Sequence, residues 1–307
     1  MFYEYAIEPR ALGSSWATFR YIIEKFGFDQ GRLISQFPKH WFREVYAATD
    51  GVSPVQKKRI EEALNQARKN KVIRSGRPYN PAAGDWLYNA LTEHRRLPFR
   101  GIIAKDNPGN DPSVLLADVL SDGEPLMTVS HDCAVRRDAA SLSAAMKVIL
   151  CFSSRIVFVD PFYDPFDGRY KNTFRACLNI IRSQNPQAAC EIHYRYHENK
   201  PNNCELEREA VRLFEEVIPT GMKVAIFCWR EKAGGEDFHA RYLLTERGGI
   251  RVDAGFSAEG NHQTTDMQLM SYNLSQEKLK LFAREATCYE LVEPIIRVTG
   301  DGQVERL

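Results

Sequence analysis

Between residues 155 and 256 the chain alternates short apolar runs with amphipathic stretches, and this rhythm restricts it to a sheet covered by helices. Arg155-Ile156-Val157-Phe158-Val159-Asp160-Pro161-Phe162 is an apolar run bounded by turn residues, the pattern of a buried parallel strand. Lys171 to Arg182 sets Phe174, Leu178 and Ile181 on one side of a helix. Cys190 to Tyr196 alternates as a half-covered strand does, Glu205 to Val217 reads as a helix, and Met222 to Trp229 as the next strand. Phe238 to Glu246 and Gly249 to Phe256 flank Arg247-Gly248 and pair as a hairpin, after which helix returns from Ser275 to Leu291. The fold class expected is α/β: a mixed sheet covered by helices, preceded by a mainly helical N-terminal domain.

That N-terminal domain is assigned to residues 1–110, with the α/β domain at 111–307. Trp16, Phe19, Ile22, Ile23 and Phe26 form a helical stripe behind Ser14 and Ser15, which suit an N-cap. Trp41 to Tyr46 begins a second helix. Ser53-Pro54 opens a third, running unbroken from Val55 to Lys71 and carrying Lys57, Lys58, Arg59, Arg68, Lys69 and Lys71. Residues 1–110 hold 18 lysines and arginines against 11 aspartates and glutamates, whereas the whole chain is nearly neutral at +1. Such asymmetry suits a first half that meets something anionic, nucleic acid through Lys57, Lys58 and Arg59 above all, or equally a solvated basic helix face or a docking arm for a protein partner. Residues 106–113, with two prolines and a glycine, are the linker candidate.

No run approaches the length of a membrane span, and Met1-Phe2-Tyr3-Glu4-Tyr5 lacks the layout of a secretory signal, so a cytoplasmic protein is expected. The seven cysteines are scattered without a CxxC pair, which argues against a zinc ribbon or a thioredoxin-like motif. His193, His197 and Glu198 could share a strand face, but Tyr194 and Arg195 between them read as sheet surface; no metal and no cofactor are expected.

The chemistry concentrates in Phe238-His239-Ala240-Arg241-Tyr242-Leu243-Leu244-Thr245-Glu246. On a strand His239 and Arg241 project to one side while Phe238, Ala240 and Tyr242 project to the other. A nucleophile or base beside a phosphate-binding cation, with a carboxylate to orient the imidazole, is the minimum kit for metal-free attack on a phosphodiester. The alternative is structural: a hydrogen-bonded core histidine and an arginine paired to a carboxylate elsewhere, Asp266 being the candidate. His131 and Asp138 share the same spacing, but Cys133 stands between them and the stretch does not read as a strand.

His239, Arg241 and Glu246 occupy the spacing of the His-x-Lys-x4-Asp motif, and Gly255-Phe256-Ser257 falls near a second Gly-Ser signature. In both respects the chain resembles the phospholipase D superfamily over roughly residues 125–300, including the phospholipase-D-like C-terminal domains of microtubule-interacting-and-trafficking proteins. The resemblance implies His239 as nucleophile or leaving-group acid, Arg241 in place of lysine holding phosphoryl oxygens, Glu246 in place of aspartate orienting His239, and Ser257 binding phosphate oxygens. Glu259 stands where the family has asparagine. The mechanism uses two histidines and this chain offers one motif, so a homodimer pairing two copies of His239 is implied, as in the dimeric single-motif nucleases of the superfamily. The function expected is a metal-independent nuclease or phosphodiesterase acting on DNA or RNA, in a style that fits restriction or phage defence. The alternative is a catalytically silent binding module for a protein or nucleic-acid partner. No apolar interfacial loop supports lipid cleavage, and no membrane partner is expected.

Overall fold

The computed structural model describes residues 1–307, the side chain of Asn261 excepted. The chain divides into two compact units, Met1–His131 and Asp132–Leu307. The division lies beyond the expected 110/111 boundary because Val114–Leu116 is a strand of the first unit, hydrogen-bonded to Gly101–Ala104. The proline-rich segment 106–113 is therefore the connection between two neighbouring strands and not a linker between domains.

The first unit is α/β, which corrects the expectation of a mainly helical domain. Its elements are β1 (Tyr3–Ile7), α1 (Pro9–Gly13), α2 (Trp16–Lys25), β2 (Arg32–Ser35), α3 (Trp41–Ala47), α4 (Pro54–Asn70), β3 (Val72–Ile73), α5 (Trp86–Arg96), β4 (Gly101–Ala104) and β5 (Val114–Leu116). The strands pair in parallel in the order β3-β2-β1-β4-β5. Helices α1 to α4 pack through Leu12, Phe19, Ile22, Trp41, Ile60 and Leu64 on the face carrying Tyr5, Ile7 and Ile103, while α5 packs Trp86 and Ala90 against Ala6, Ile102 and Ala104 on the other. The helices start where the sequence signals: Ser53 and Gln56 form a reciprocal capping box with Pro54 in the first turn of α4.

The second unit runs β6 (Asp132–Arg137), α6 (Ala139–Phe152), β7 (Arg155–Val159), α7 (Gly168–Gln184), β8 (Ala189–Arg195), α8 (Asn203–Arg208), α9 (Ala210–Phe214), β9 (Lys223–Arg230), β10 (Tyr242–Thr245), β11 (Gly249–Val252), β12 (Gly260–Met270), α10 (Tyr272–Leu281), β13 (Glu290–Thr299) and β14 (Val304–Arg306). Its mixed sheet has the order β14-β13-β9-β8-β7-β10-β11-β12-β6. β7, β8 and β9 are parallel, as the buried run of β7 predicts; β10 and β11 form the expected hairpin, and β10 closes antiparallel on β7. Phe174 of α7 packs on Phe158 on one face, while Leu279 of α10 and Phe282 join Val157, Val159, Trp229, Phe238 and Leu244 on the other.

Several boundaries differ. The helix expected over 205–217 breaks at Glu209, whose φ of −104° and ψ of 11° interrupt the turn. The last helix stops at Leu281, and residues 290–299 form β13. The stretch between His131 and Asp138, which does not read as a strand, is β6, paired with β12.

Candidate active site

The carboxyl ends of β7, β8 and β9 and the approach to β10 lie at one end of the sheet, the position where open α/β sheets hold their ligands. Asp160 leaves β7 there and is 1% exposed. Its Oδ1 accepts the Phe162 N–H at 2.9 Å and its Oδ2 the Phe256 N–H at 3.0 Å, which ties the turn after β7 to the loop after β11. Burial raises the Asp160 carboxyl above the usual range, opposed by those two N–H bonds and by the charges of Arg241 and Lys200.

His239 and Arg241 arrive at this same end, although the strand begins only at Tyr242. On the other side of the backbone Phe238, Ala240 and Tyr242 line one pocket together, as the alternation predicts for those three. Phe238 is buried among Phe282 and Tyr289, with ring centroids 5.3 and 5.0 Å away, whereas His239 is exposed. Arg241 donates from Nη1 to the Asp253 carbonyl and lays its guanidinium 4.7 Å from the centre of the Phe162 ring. Arg195 and Lys200 approach that ring at 5.4 and 5.9 Å, so one aromatic ring gathers three cations. Lys200 donates to the Phe162 carbonyl at 2.7 Å. Glu231, just past β9, accepts the Phe238 N–H at 2.7 Å and pairs with Arg195 at 3.0 Å. The Phe238 N–H bond, then Arg195 and the field of His239, hold its carboxyl below the usual range.

Glu246 does not join this group. Its carboxylate accepts the N–H groups of Ser154 and Arg155 at 2.7 and 3.0 Å, where β7 begins, at the opposite end of the sheet. Seven residues of extended chain span about 20 Å, so a side chain at that offset cannot orient the imidazole. The carboxylate electrostatically coupled to His239 is Glu231, and its position directly after an apolar strand was the signal available in the sequence.

Ser257 is near but engaged. It is 5% exposed, accepts from Arg137 Nη2 at 2.5 Å and donates to Glu259 Oε1 at 3.1 Å. Glu259 also pairs with Arg137 at 3.3 Å and Arg169 at 2.6 Å, so it lies where an oxyanion held by one hydroxyl and two guanidinium groups would lie. The pairing of Asp266 with Arg241 does not occur, since Arg241 turns to the Asp253 carbonyl. Lys57, Lys58 and Arg59 belong to α4 of the first unit: Lys57 pairs with Asp50 at 3.4 Å, while Lys58 and Arg59 are exposed.

His193 is fully buried. Its Nδ1 accepts from Trp229 Nε1 at 2.9 Å, which leaves Nε2 to donate to Glu191 at 3.1 Å, and its ring stacks on Phe227 at 4.3 Å. Among the described residues no group of three or more histidine, cysteine or acidic side chains is arranged to hold a metal ion.

Gly255 joins the parts. It has φ +75°, and a Cβ there would meet the Asp160 carboxylate and come within 2.9 Å of Arg241 Cδ. Gly255→Ala is expected to cost about 1–3 kcal/mol through left-handed strain and this crowding. Urea unfolding gives the cost, and an unchanged midpoint would show that the glycine is not required there.

No family model matches the chain, and no curated protein matches it. Among solved structures, TrmBL2, an archaeal chromatin protein described as showing a novel mode of DNA binding, aligns with 80% of this chain and 88% of its own, at 13% identity and a TM-score of 0.28. A likeness so slight assigns neither fold nor function. No helix among the described residues is long and apolar enough to cross a membrane.

Proposed function

We propose that the second unit is a metal-independent phosphodiesterase of the phospholipase D-like type, acting on DNA or RNA, with His239 as nucleophile. The observation that carries this reading is an exposed imidazole on the same end of the sheet as Arg241, beside Lys200 and Arg195. Attack by a ring nitrogen forms a P–N bond while the P–O bond to the leaving strand breaks; water then cleaves the phosphohistidine. Arg241 and Lys200 neutralise charge on the non-bridging oxygens, and Glu231 offsets the charge that the imidazole gains. The leaving oxygen needs a proton, and a second copy of the chain bringing its own His239 supplies the donor. Restriction or phage defence is the setting that this reading suits.

A catalytically silent binding module is the second reading, favoured by Glu246 at the far end and by Glu259 on Ser257 and Arg137. Incubation with single-stranded DNA, RNA and bis-p-nitrophenyl phosphate in excess EDTA separates the two. Cleavage, with a dimer in solution, is the expected result. Retained DNA binding without turnover of any of the three would leave the binding module standing.

A further inference from the structure

The first unit carries a second site that its basic composition conceals. From β1 the chain steps outward through β2 to β3, then returns to place β4 on the other side of β1. Helices α1 to α4 cover one face of that sheet and α5, which leads back into β4, covers the other, so the strand order reverses between β1 and β4. Such a reversal opens a crevice at the carboxyl ends of the two strands, and this is where doubly wound sheets bind ligands. A cleft of about 740 Å³ lies there. Glu8 and Arg10 line it directly after β1, Asp106 and Pro108 directly after β4, and Glu44 of α3 faces them. The volume falls within the ordinary range for small-molecule sites.

Position and volume make it a site; its lining selects the ligand. Residues 1–110 have 11 acidic groups, and four of them, Glu8, Glu44, Asp85 and Asp106, border this one cleft with Arg10 as the opposing charge. Two of these carboxylates are fixed by the backbone: Glu8 Oε2 accepts the Lys105 N–H at 2.8 Å, and Asp85 Oδ1 accepts the Tyr88 N–H at 2.8 Å. Burial, then the fields of Glu44 and Asp85, raise the Tyr79 hydroxyl above its ordinary range, in keeping with a negative interior. Tyr79 and Trp86 add aromatic surface, and Pro9 and Pro108 aliphatic surface. This lining repels phosphate and carboxylate ligands. The described side chains do not converge as a metal chelate would require. Separated carboxylates between apolar walls match a flexible chain with amines at intervals, its methylenes on the rings and its ammonium groups on the acids.

We propose that the cleft at the β1–β4 switch binds a small linear polyamine. The site is independent of the phosphodiesterase reading and belongs wholly to the other unit. The probe is spermidine, titrated by calorimetry into the full chain at moderate salt. Saturable one-to-one binding is expected, weakened about tenfold or more by Glu44→Gln and by Asp106→Asn, the loss that follows from removing one charge-assisted hydrogen bond. Arg10→Gln should tighten it. His239→Ala should leave it unchanged, which separates this outcome from that of the nuclease reading. Absence of saturable binding, affinity undiminished in both carboxylate variants, or displacement of spermidine by inorganic phosphate would overturn the proposal. Circular dichroism of each variant shows whether a loss comes from the cleft or from unfolding; if both variants unfold, charge-preserving Glu44→Asp, which shortens the reach by one methylene, takes their place under the same criterion.

Discussion

Replacement of His239 by alanine is expected to lower phosphodiester cleavage by about 10³-fold or more while leaving the unfolding transition in place. The two halves of this result have separate causes. The imidazole is exposed and its neighbour in the chain, Phe238, is the buried one, so truncation removes no core side chain. Chemically, the proposal gives Arg241 and Lys200 the non-bridging oxygens, so the truncation leaves the nucleophile's place empty. A phosphorylated intermediate trapped by acid quench in the wild type and missing from the variant is the direct check. Cleavage surviving in His239→Ala would remove the histidine mechanism, and joint aggregation of His239→Ala and Arg241→Ala would return both residues to a structural role.

The largest effect on stability is expected at Glu191. Its carboxylate receives Arg155 through Nε and Nη2, both at 2.8 Å, and the His193 ring at 3.1 Å, beneath the stacked rings of Phe227 and Trp229. Burial alone would raise this carboxyl, but the hydrogen bonds from His193 and Arg155 bring it down to about 2. Glu191→Ala leaves an uncompensated partner and should cost on the order of 3 kcal/mol. The pH dependence carries the signature. A carboxyl moved from 4.5 in the unfolded chain to about 2 in the folded one contributes fully above 4.5 and loses its contribution as pH falls toward 2. Burial lowers the His193 imidazole below its ordinary 6.5, so the unfolded chain takes up a proton first and stability also declines as pH drops through that value. Wild-type stability should therefore fall on acidification from about pH 6.5 and more steeply below about 4.5, whereas the variant loses the lower limb. Urea midpoints across this range test it; identical profiles for the two proteins would show that the pair contributes nothing.

The parts legible in sequence were those with strong periodicity. The parallel strands β7, β8 and β9, the β10–β11 hairpin, and helix α4 with its serine cap all followed from apolar spacing and turn residues. The first sheet did not, because its strands are two to five residues long and lie between stronger helical stripes. Arg32–Ser35 is wholly buried yet opens with an arginine, which donates to the Met127 and Lys25 carbonyls. Pro294 interrupts β13, a position that argues against a strand; a register shift between Val292 and Ile296 accommodates it. In Asp132–Arg137 three charged residues obscure the alternation. The site was half legible for a similar reason: a motif fixes spacing along the chain, and an offset of seven across a strand carries Glu246 away from the chemistry. Asp160, Arg195, Lys200 and Glu231 come together only through the sheet order.

The imidazole stands on a short span of backbone between two anchors, the buried ring of Phe238 and the guanidinium of Arg241 seated on Phe162. Regular pairing with β7 and β11 starts only after this span, at Tyr242. The backbone on either side of His239 is held instead by the Glu231 carboxylate, which accepts the Phe238 N–H, and by the Val252 N–H, which donates to the Arg241 carbonyl. A group so mounted owes its place to contacts made by side chains around it, and a substitution at Phe238, Phe162 or Glu231 would reposition it while leaving the strand ladder as it is.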